Sequence, residues 1–380
     1  MKDTCAIVGV GQTKQGTLPG TTPLGLGIEA FKNALDDAGL EKDDIDGLLT
    51  MPGTTSPEGP LHYLRFGEAA GINPRFTASM VMGGGTAGVL VEYAVQAINA
   101  GLATTVACIF GDTAKTGGVR FGGASGSRGE SWGLWGMFGP HANSAMGARR
   151  HMALYGTKSE HLGMVAVAVR KHANLNPEAV MFDRPMTLQD HQESRWIVEP
   201  LHLLDCCLIS DGGVCIIVTS AERARSLKKP PVIISGMGQA YTTQNLMRED
   251  WWYVPHQADA LRRAFEMAQV TPKDIDVAQL YDNFTISVLF WLEHAGFCKR
   301  GEAGPFVEGG RIELGGELPV NTAGGNLSES YMEGWLHIVE GTRQVRGECG
   351  PRQVPNVEYC LTTGRGMALN CSNALILRKA

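Results

Sequence analysis

Two glycine-rich segments, each lying between a strand-like run and an amphipathic helical run, hold the residues best suited to chemistry. They are MGGGTAGVLVEYAVQAINAG (Met82 to Gly101) and NTAGGNLSESYMEGWLHIVEG (Asn321 to Gly341). An open turn at Gly83, Gly84 and Gly85 that feeds a helix N-terminus offers backbone N–H groups with no side chain in the way, as a developing oxyanion requires. Tyr331 follows the second glycine turn at a helix start, and Tyr281 stands between Leu280 and Asp282 in YDNF. Phenols can carry protons, but an unperturbed phenol near pKa 10 must be tuned before it acts as a base. A tyrosine taken alone is more often a core or interface residue; its place at a helix start singles out Tyr331, while the two readings balance for Tyr281. Asn283 and Asn321 either orient groups or cap turns. His337, six residues beyond Tyr331, is expected on another side of the helix in a packing role.

Other chemistries lack their residues. The ten histidines show no HExxH or other ligand spacing, so no metal is expected in this chain. Nine cysteines, an odd number without a CxxC pair, suit buried thiols in a reducing compartment and hence a cytoplasmic location. GVGQTKQG (Gly9 to Gly16) has its third glycine misplaced for a dinucleotide loop, and no helix follows at once. A net charge of −6 argues against nucleic acid and anionic membranes as partners. Met1-Lys2-Asp3-Thr4 leads straight into the strand-like CAIVGVG, with no secretory signal, and runs such as VCIIV (Val214 to Val218) are too short to span a bilayer.

The elements that must position these residues occur twice. ALDDAGLEKDDIDGLL (Ala34 to Leu49) matches AFEMAQVTPKDIDVAQ (Ala264 to Gln279), with identities at Ala34/Ala264, Ala38/Ala268, Asp44/Asp274, Ile45/Ile275 and Asp46/Asp276, all at one offset. Each copy predicts an amphipathic helix (about Leu24 to Ala38 and Pro255 to Ala268), a loop ending in Asp-Ile-Asp, and a strand (Gly47 to Met51 and Val277 to Tyr281). Alternating strands and helices imply mostly parallel, helix-covered sheets. The division is expected within SAERARSLKKPP (Ser220 to Pro231), giving halves 1–225 and 226–380. An outlying region at about 114–152, rich in Gly and Ser but carrying Phe121, Trp132, Trp135 and Phe138, is either a surface excursion pinned by its aromatics or a lid or partner-docking segment.

Three segments carry a resemblance to the thiolase superfamily. DCCLISDGGVCIIVTSAERA (Asp205 to Ala224) is similar to the signature closing the N-terminal half of thiolases of the sterol-carrier-protein-x type. YDNF (Tyr281 to Phe284) stands where thiolases read Asn-Glu-Ala-Phe or His-Asp-Cys-Phe. VNTAGGNLSESYMEG (Val320 to Gly334) stands where they read Asn-x-x-Gly-Gly-x-x-x-x-Gly-His-Pro. The resemblance spans essentially the whole chain and is nearest to lipid-transfer-protein aldolases that shorten steroid side chains, which share SDGG, GGxLxExY and VPNVE (here Val354 to Glu358). It implies an α/β thiolase fold of duplicated βαβ halves in a layered α-β-α-β-α architecture, a homodimer, and a CoA thioester as substrate and product with no covalently bound cofactor. It also implies a small zinc-ribbon and OB-fold acyl-CoA-binding partner, to which any zinc would belong.

The departures from the family decide the expected chemistry. Thiolases carry a nucleophilic cysteine at a helix N-terminus; here Gly84 aligns with it, and the nearest cysteine in sequence, Cys108, lies on a strand. Tyr331 replaces the Gly-His-Pro histidine, Tyr281 replaces the Asn or His of the other motif, and Cys371 lies in an expected long loop (Leu361 to Asn373), out of register and structural. Without a nucleophile, retro-aldol cleavage of a β-hydroxyacyl-CoA remains open: Tyr331 and Tyr281 move protons, while Gly83, Gly84, Gly85, Asn321 and Gly325 bind the thioester oxygen and Asn283 orients. Two alternatives stand beside it, an atypical thiolase cleaving an aromatic or bulky β-ketoacyl-CoA with free CoA and a catalytically inactive acyl-CoA or lipid-binding subunit. Trp251, Trp252 and Tyr253 either line a bulky acyl pocket or form an interface.

Overall fold

The computed structural model describes residues 1–121, 134, 136–137, 139–242, 250–366 and 371–380. Its strands are β1 (Cys5–Gln12), β2 (Gly47–Pro52), β3 (Phe76–Ser79), β4 (Thr105–Thr113), β5 (Trp196–Val198), β6 (Leu201–His202), β7 (Asp211–Ser220), β8 (Val232–Tyr241), β9 (Val277–Gln279), β10 (Tyr359–Gly366) and β11 (Cys371–Lys379). The helices are α1 (Pro23–Ala38), α2 (His62–Ala70), α3 (Thr86–Asn99), α4 (Gly139–Tyr155), α5 (Ser159–Ala173), α6 (Leu188–Glu193), α7 (Ala221–Ala224), α8 (His256–Ala268), α9 (Thr285–His294), α10 (Ala303–Phe306), α11 (Gly325–Ser328) and α12 (Trp335–Arg346).

The repeat is visible in the strand order β3-β2-β4-β7-β1-β8-β11-β10-β9. Read outward from the centre, β1-β7-β4-β2 on one side matches β8-β11-β10-β9 on the other. An isolated bridge from Ala278 to Val320 repeats the β2–β3 pairing. The Asp-Ile-Asp element explains why both copies keep the same residues. Asp44 and Asp274 close short turns by accepting from Glu41 N (3.0 Å) and Thr271 N (2.7 Å). Asp46 then accepts from the Thr104 and Thr105 amides at the start of β4 (2.8 and 2.9 Å), and Asp276 from the Glu358 and Tyr359 amides at the start of β10 (2.8 and 2.9 Å). Each aspartate thus satisfies backbone donors where a strand begins. Both isoleucines between them are buried.

The sheet is mixed, which corrects the expectation of mostly parallel strands. β2 runs parallel to β3 and β4, and β9 to β10, but β7 is antiparallel to β1 and β4, and β11 to β8 and β10. Only four residues separate the end of β10 from β11, and a link that short joins antiparallel strands alone. The long loop expected over Leu361 to Asn373 is therefore largely this strand pair.

β1 and β8 pair only through Ala6–Ile233 and Ile7–Val232. α3 and α12 lie together between the two strand sets, in a core shared by Leu90, Val95, Ile216, Trp335, Val339 and Leu375. α1 and α2 cover the outer side of the first set, and α8 and α9 that of the second. This is the layered α-β-α-β-α arrangement, and it brings the two glycine turns, which precede the paired inner helices, to one place. α7 and the segment before β8 connect the strand sets. Of the outlying region, Trp132, Trp135 and Phe138 fall outside the described residues, and α4 takes up its second part.

Candidate active site

Tyr281 lies two residues beyond the end of β9, where Asn321 prolongs the strand pairing with its side chain. Leu280 N donates to Asn321 Oδ1 (2.7 Å) and Asn321 Nδ2 donates to Leu280 O (2.8 Å), while Tyr281 N donates to Thr363 Oγ1 (2.9 Å). Held so, the Tyr281 ring reaches the turn before α3. A Cβ placed on Gly84 would overlap the Tyr281 hydroxyl, and one on Gly334 would come within 3.1 Å of its ring. The phenol thus fills the space that any side chain at position 84 would need. Both side-chain polar atoms of Asn321 bond to Leu280, which makes Asn321 a brace for the residue before Tyr281.

Gly325 lies close against the residue after Tyr281. Its φ of 56° suits glycine, and a Cβ there would strike the Asp282 carboxylate. Asp282 accepts from Asn326 N (2.9 Å) at the start of α11 and from His337 Nε2 (3.0 Å), all buried. His337, expected merely to pack, instead ties α12 to the residue after Tyr281. The expectation failed because Tyr331 to Gly334 are not helical: α12 starts only at Trp335, and the approach passes through Glu333 (φ 50°) and Gly334 (φ 83°).

That irregular strap presents Tyr331. Its amide donates weakly to Ser210 Oγ of the SDGG motif (3.4 Å), Phe121 meets its ring edge-on at 5.6 Å, and its hydroxyl lies 3.3 Å from that of Tyr281. The structure therefore unites Gly84, Tyr281 and Tyr331. The Gly85 amide donates within the turn to Met82 O (3.3 Å), and its carbonyl accepts from Asn373 Nδ2 (2.6 Å). Asn283 accepts from Ser287 Oγ (2.8 Å) through Oδ1, and its carbonyl from Cys207 N (3.0 Å), a local bracing role.

Burial pushes both phenols well above the ordinary tyrosine range, and Glu333 pushes them further. For Tyr281, the Tyr331 hydrogen bond and the Arg365 guanidinium pull the other way. Two groups here were not singled out in the sequence. Glu333 is 7% exposed; burial, reinforced by Asp112, raises its carboxyl to about 7, against a favourable interaction with the Tyr331 hydroxyl. Arg365, 5% exposed on β10, donates to Ser287 Oγ (3.3 Å), and among the described residues no carboxylate pairs with it; burial lowers it to about 10. Glu333 sits inside the quoted motif, but only the backbone shows its strain, and Arg365 was hidden in the supposed loop.

A thiol does approach the turn: a Cβ on Gly85 would lie 2.8 Å from Cys371 Sγ. Cys371 is buried, and burial raises it to about 12, so it stays a neutral thiol at physiological pH. All nine cysteines are free. Trp252 and Tyr253 pack into the core with Phe290 and His151, and the Tyr253 hydroxyl donates to buried Glu293, so these two form neither an open pocket wall nor an exposed interface.

A glycine-lined helix start filled by a phenol, on a duplicated layered fold, defines a thiolase-type enzyme without the thiol. Residues 238–379 match the thiolase C-terminal domain-like family model. The chain is 42% identical over 377 residues to a steroid side-chain-cleaving aldolase of Thermomonospora curvata, covering 94% of this chain and 95% of that protein. It is 41% identical over 374 residues to the 17-hydroxy-3-oxo-4-pregnene-20-carboxyl-CoA lyase of Mycobacterium tuberculosis, with the same coverage of 94% and 95%. The solved structure of an Ltp2-ChsH2(DUF35) aldolase superposes with a TM-score of 0.91 at 40% identity, covering 100% of this chain and 98% of that one. The chain belongs to the thiolase superfamily and is an enzyme of the aldolase, or lyase, type. Among the described residues no helix is long and apolar enough to cross a membrane.

Proposed function

We propose that this chain cleaves the bond between the α- and β-carbons of a β-hydroxyacyl-CoA by retro-aldol chemistry, with Tyr281 and Tyr331 as its proton carriers. One phenol takes up the β-hydroxyl proton as the bond breaks to a carbonyl product. The thioester enolate leaves, and the other phenol protonates its α-carbon. Amides of the turn, narrowed to Gly83 and Gly84 because that of Gly85 is used internally, would stabilise the enolate oxygen. The observation that carries this reading is the Tyr281 hydroxyl in the side-chain space of Gly84, 3.3 Å from that of Tyr331. A phenol cannot form the acyl-enzyme of thiolysis as a thiolate does, but it can move protons.

The relatives support a steroid acyl group, with 17-hydroxy-3-oxo-4-pregnene-20-carboxyl-CoA as the substrate to try first. The aldolase structure that names a DUF35 component supports a partner subunit here. We extend this to a homodimer with a small zinc-ribbon and OB-fold acyl-CoA-binding partner, in a cytoplasmic setting. The partner contact expected near Ser131 to Gly139 falls largely outside the described residues. The halves are taken as 1–225 and 226–380.

The purified chain with its partner, given that hydroxyacyl-CoA without free CoA, should release one carbonyl product and one shorter acyl-CoA per turnover. A requirement for free CoA, with a β-ketoacyl-CoA cleaved in preference and a covalent acyl-enzyme in the intact mass, would replace this reading with thiolysis. Tight acyl-CoA binding with no cleavage of either would leave only a binding subunit.

A further inference from the structure

Cleavage by two phenols leaves one difficulty. Tyr281 is buried and Tyr331 partly so, their hydroxyls lie 3.3 Å apart, and both stay protonated at neutral pH, so neither can accept the substrate's proton without passing its own on. A third group has to hold it while the α-carbon waits.

Glu333 has the geometry for this. It adopts a left-handed φ of 50°, which a residue with a Cβ rarely takes, in the strap that carries Tyr331 two residues earlier. Its Oε2 is buried and, among the described residues, has no hydrogen-bond partner. The neighbouring carboxylate, Asp112, is fully engaged. It accepts from the amides of Thr54, Thr55 and Thr113 and from the Thr54 and Thr55 hydroxyls at 2.6 to 3.2 Å. A strained backbone and an orphan carboxyl oxygen are both costs, and at one residue beside the reacting phenols they point to a role.

We propose that Glu333 is the proton store of the reaction: it takes through Tyr331 the proton that leaves the substrate's β-hydroxyl, and returns it through the Tyr331–Tyr281 pair. The proposal rests on the retro-aldol reading and assigns directions within it. The hydroxyl proton passes to the Tyr331 oxygen as Tyr331's own proton passes to the Glu333 carboxylate. The electron pair of the α–β bond becomes the enolate, and the β-carbon becomes the carbonyl. Tyr281 gives its proton to the α-carbon, and the Arg365 guanidinium compensates the phenolate left behind. Tyr331 then reprotonates Tyr281 and recovers its proton from Glu333. One proton has moved from oxygen to carbon, none is gained or lost, and no co-reactant is needed. The titratable and charged groups facing Glu333 and the phenols are Asp112, Cys207, Arg365, Asp282 and His337. A carboxyl titrating at about 7 can both accept and release a proton at working pH, and Glu333 acts through Tyr331 without touching substrate.

The test uses the complex of the chain with its partner and 17-hydroxy-3-oxo-4-pregnene-20-carboxyl-CoA. In the wild type, kcat should rise about tenfold per pH unit below about 7 and then level off. Glu333→Gln keeps the shape but cannot store a proton, so kcat should fall by about 100-fold or more and lose its dependence between pH 6 and 8, with KM little changed. Wild-type turnover by Glu333→Gln, or retention of the rising limb, overturns the proposal while leaving the retro-aldol reading intact. If that variant does not fold, a wild-type kcat that is flat across pH 6 to 8 overturns it equally. A wild type that cleaves no hydroxyacyl-CoA at any pH brings down both.

Discussion

The turn before α3 and the turn before α12 occupy matching places in the two halves, and they divide the work unequally. The first contributes backbone alone, and its side-chain space is taken by Tyr281, a residue of the other half. The second contributes Tyr331 and Glu333 from an irregular strap. The inner helices repeat the contrast. α3 buries Glu92 with no ion pair among the described residues, only the Arg263 charge acting on it from beyond pairing distance, and its Oε1 has no hydrogen-bond partner among them. α12 buries Glu340 against Arg352 (3.0 Å), with Thr322 and Gln344 also donating to it. Duplication supplies two equivalent strand-to-helix junctions that meet at one place. Once the nucleophile is gone from one of them, a side chain from the other half can fill its place.

The sharpest way to break this comparison is to put a side chain back on the first turn. Gly84→Ala sets a methyl group where the Tyr281 hydroxyl sits, and the backbone on either side cannot give way easily. Tyr281 must leave, so kcat should fall by at least the roughly 100-fold expected for losing a proton carrier. Overpacking should also cost about 1–3 kcal/mol in a denaturant melt. A normal kcat would show that Tyr281 does not work from this position.

The helices offer a pair of stability effects of opposite sign. For Glu340, burial raises the carboxyl, but Arg352 and the surrounding donors more than offset it and hold it below the usual range. Its contribution is present at neutral pH and lost as pH falls through its folded value. Removing one member of a buried pair costs about 3–5 kcal/mol, so Glu340→Gln should destabilise by about that much at pH 7. Burial raises Glu92 to about 8. Its fold prefers the protonated form, so stability is full below about pH 4 and declines as pH rises through about 8. Glu92→Gln should therefore stabilise the protein by up to about 5 kcal/mol above pH 8 and by almost nothing at pH 4. Urea melts across that range check both signs, and parallel behaviour of the two variants would erase the contrast.

Much of this was readable before any coordinates. The Asp-Ile-Asp repeat carries the duplication because each second aspartate caps the start of a neighbouring strand, a job that few residues do. Glycines against a helix start, with Tyr281 and Tyr331 at motif positions, marked the two phenols, and the coordinates bring them together. The rest depended on long-range geometry. The bonds of Asn321 to Leu280 and the close approach of Gly325 to Asp282 emerge only from the fold, because motif position does not say what a residue packs against. His337 was misplaced because helical counting was applied across a strap that is not helical. Glu333 and Arg365 gave no signal, since neither backbone strain nor the lack of a counter-charge is periodic. The mixed sheet was missed because strand direction follows from connection lengths that only the true strand ends reveal.

The central claim is that the two phenols, 3.3 Å apart where a thiolase keeps its nucleophile, act as one proton-transfer device. Its most direct test is a double-mutant cycle of Tyr281→Phe and Tyr331→Phe, which remove only hydroxyls and leave the rings packed. Each single variant, assayed on the hydroxyacyl-CoA with the partner present, should lose about 100- to 10,000-fold in kcat. The double variant should lose little more than the worse single one, because residues that act as a unit are not additive. Losses that multiply would mean two independent roles, and near-normal turnover by either folded single variant would contradict the claim outright.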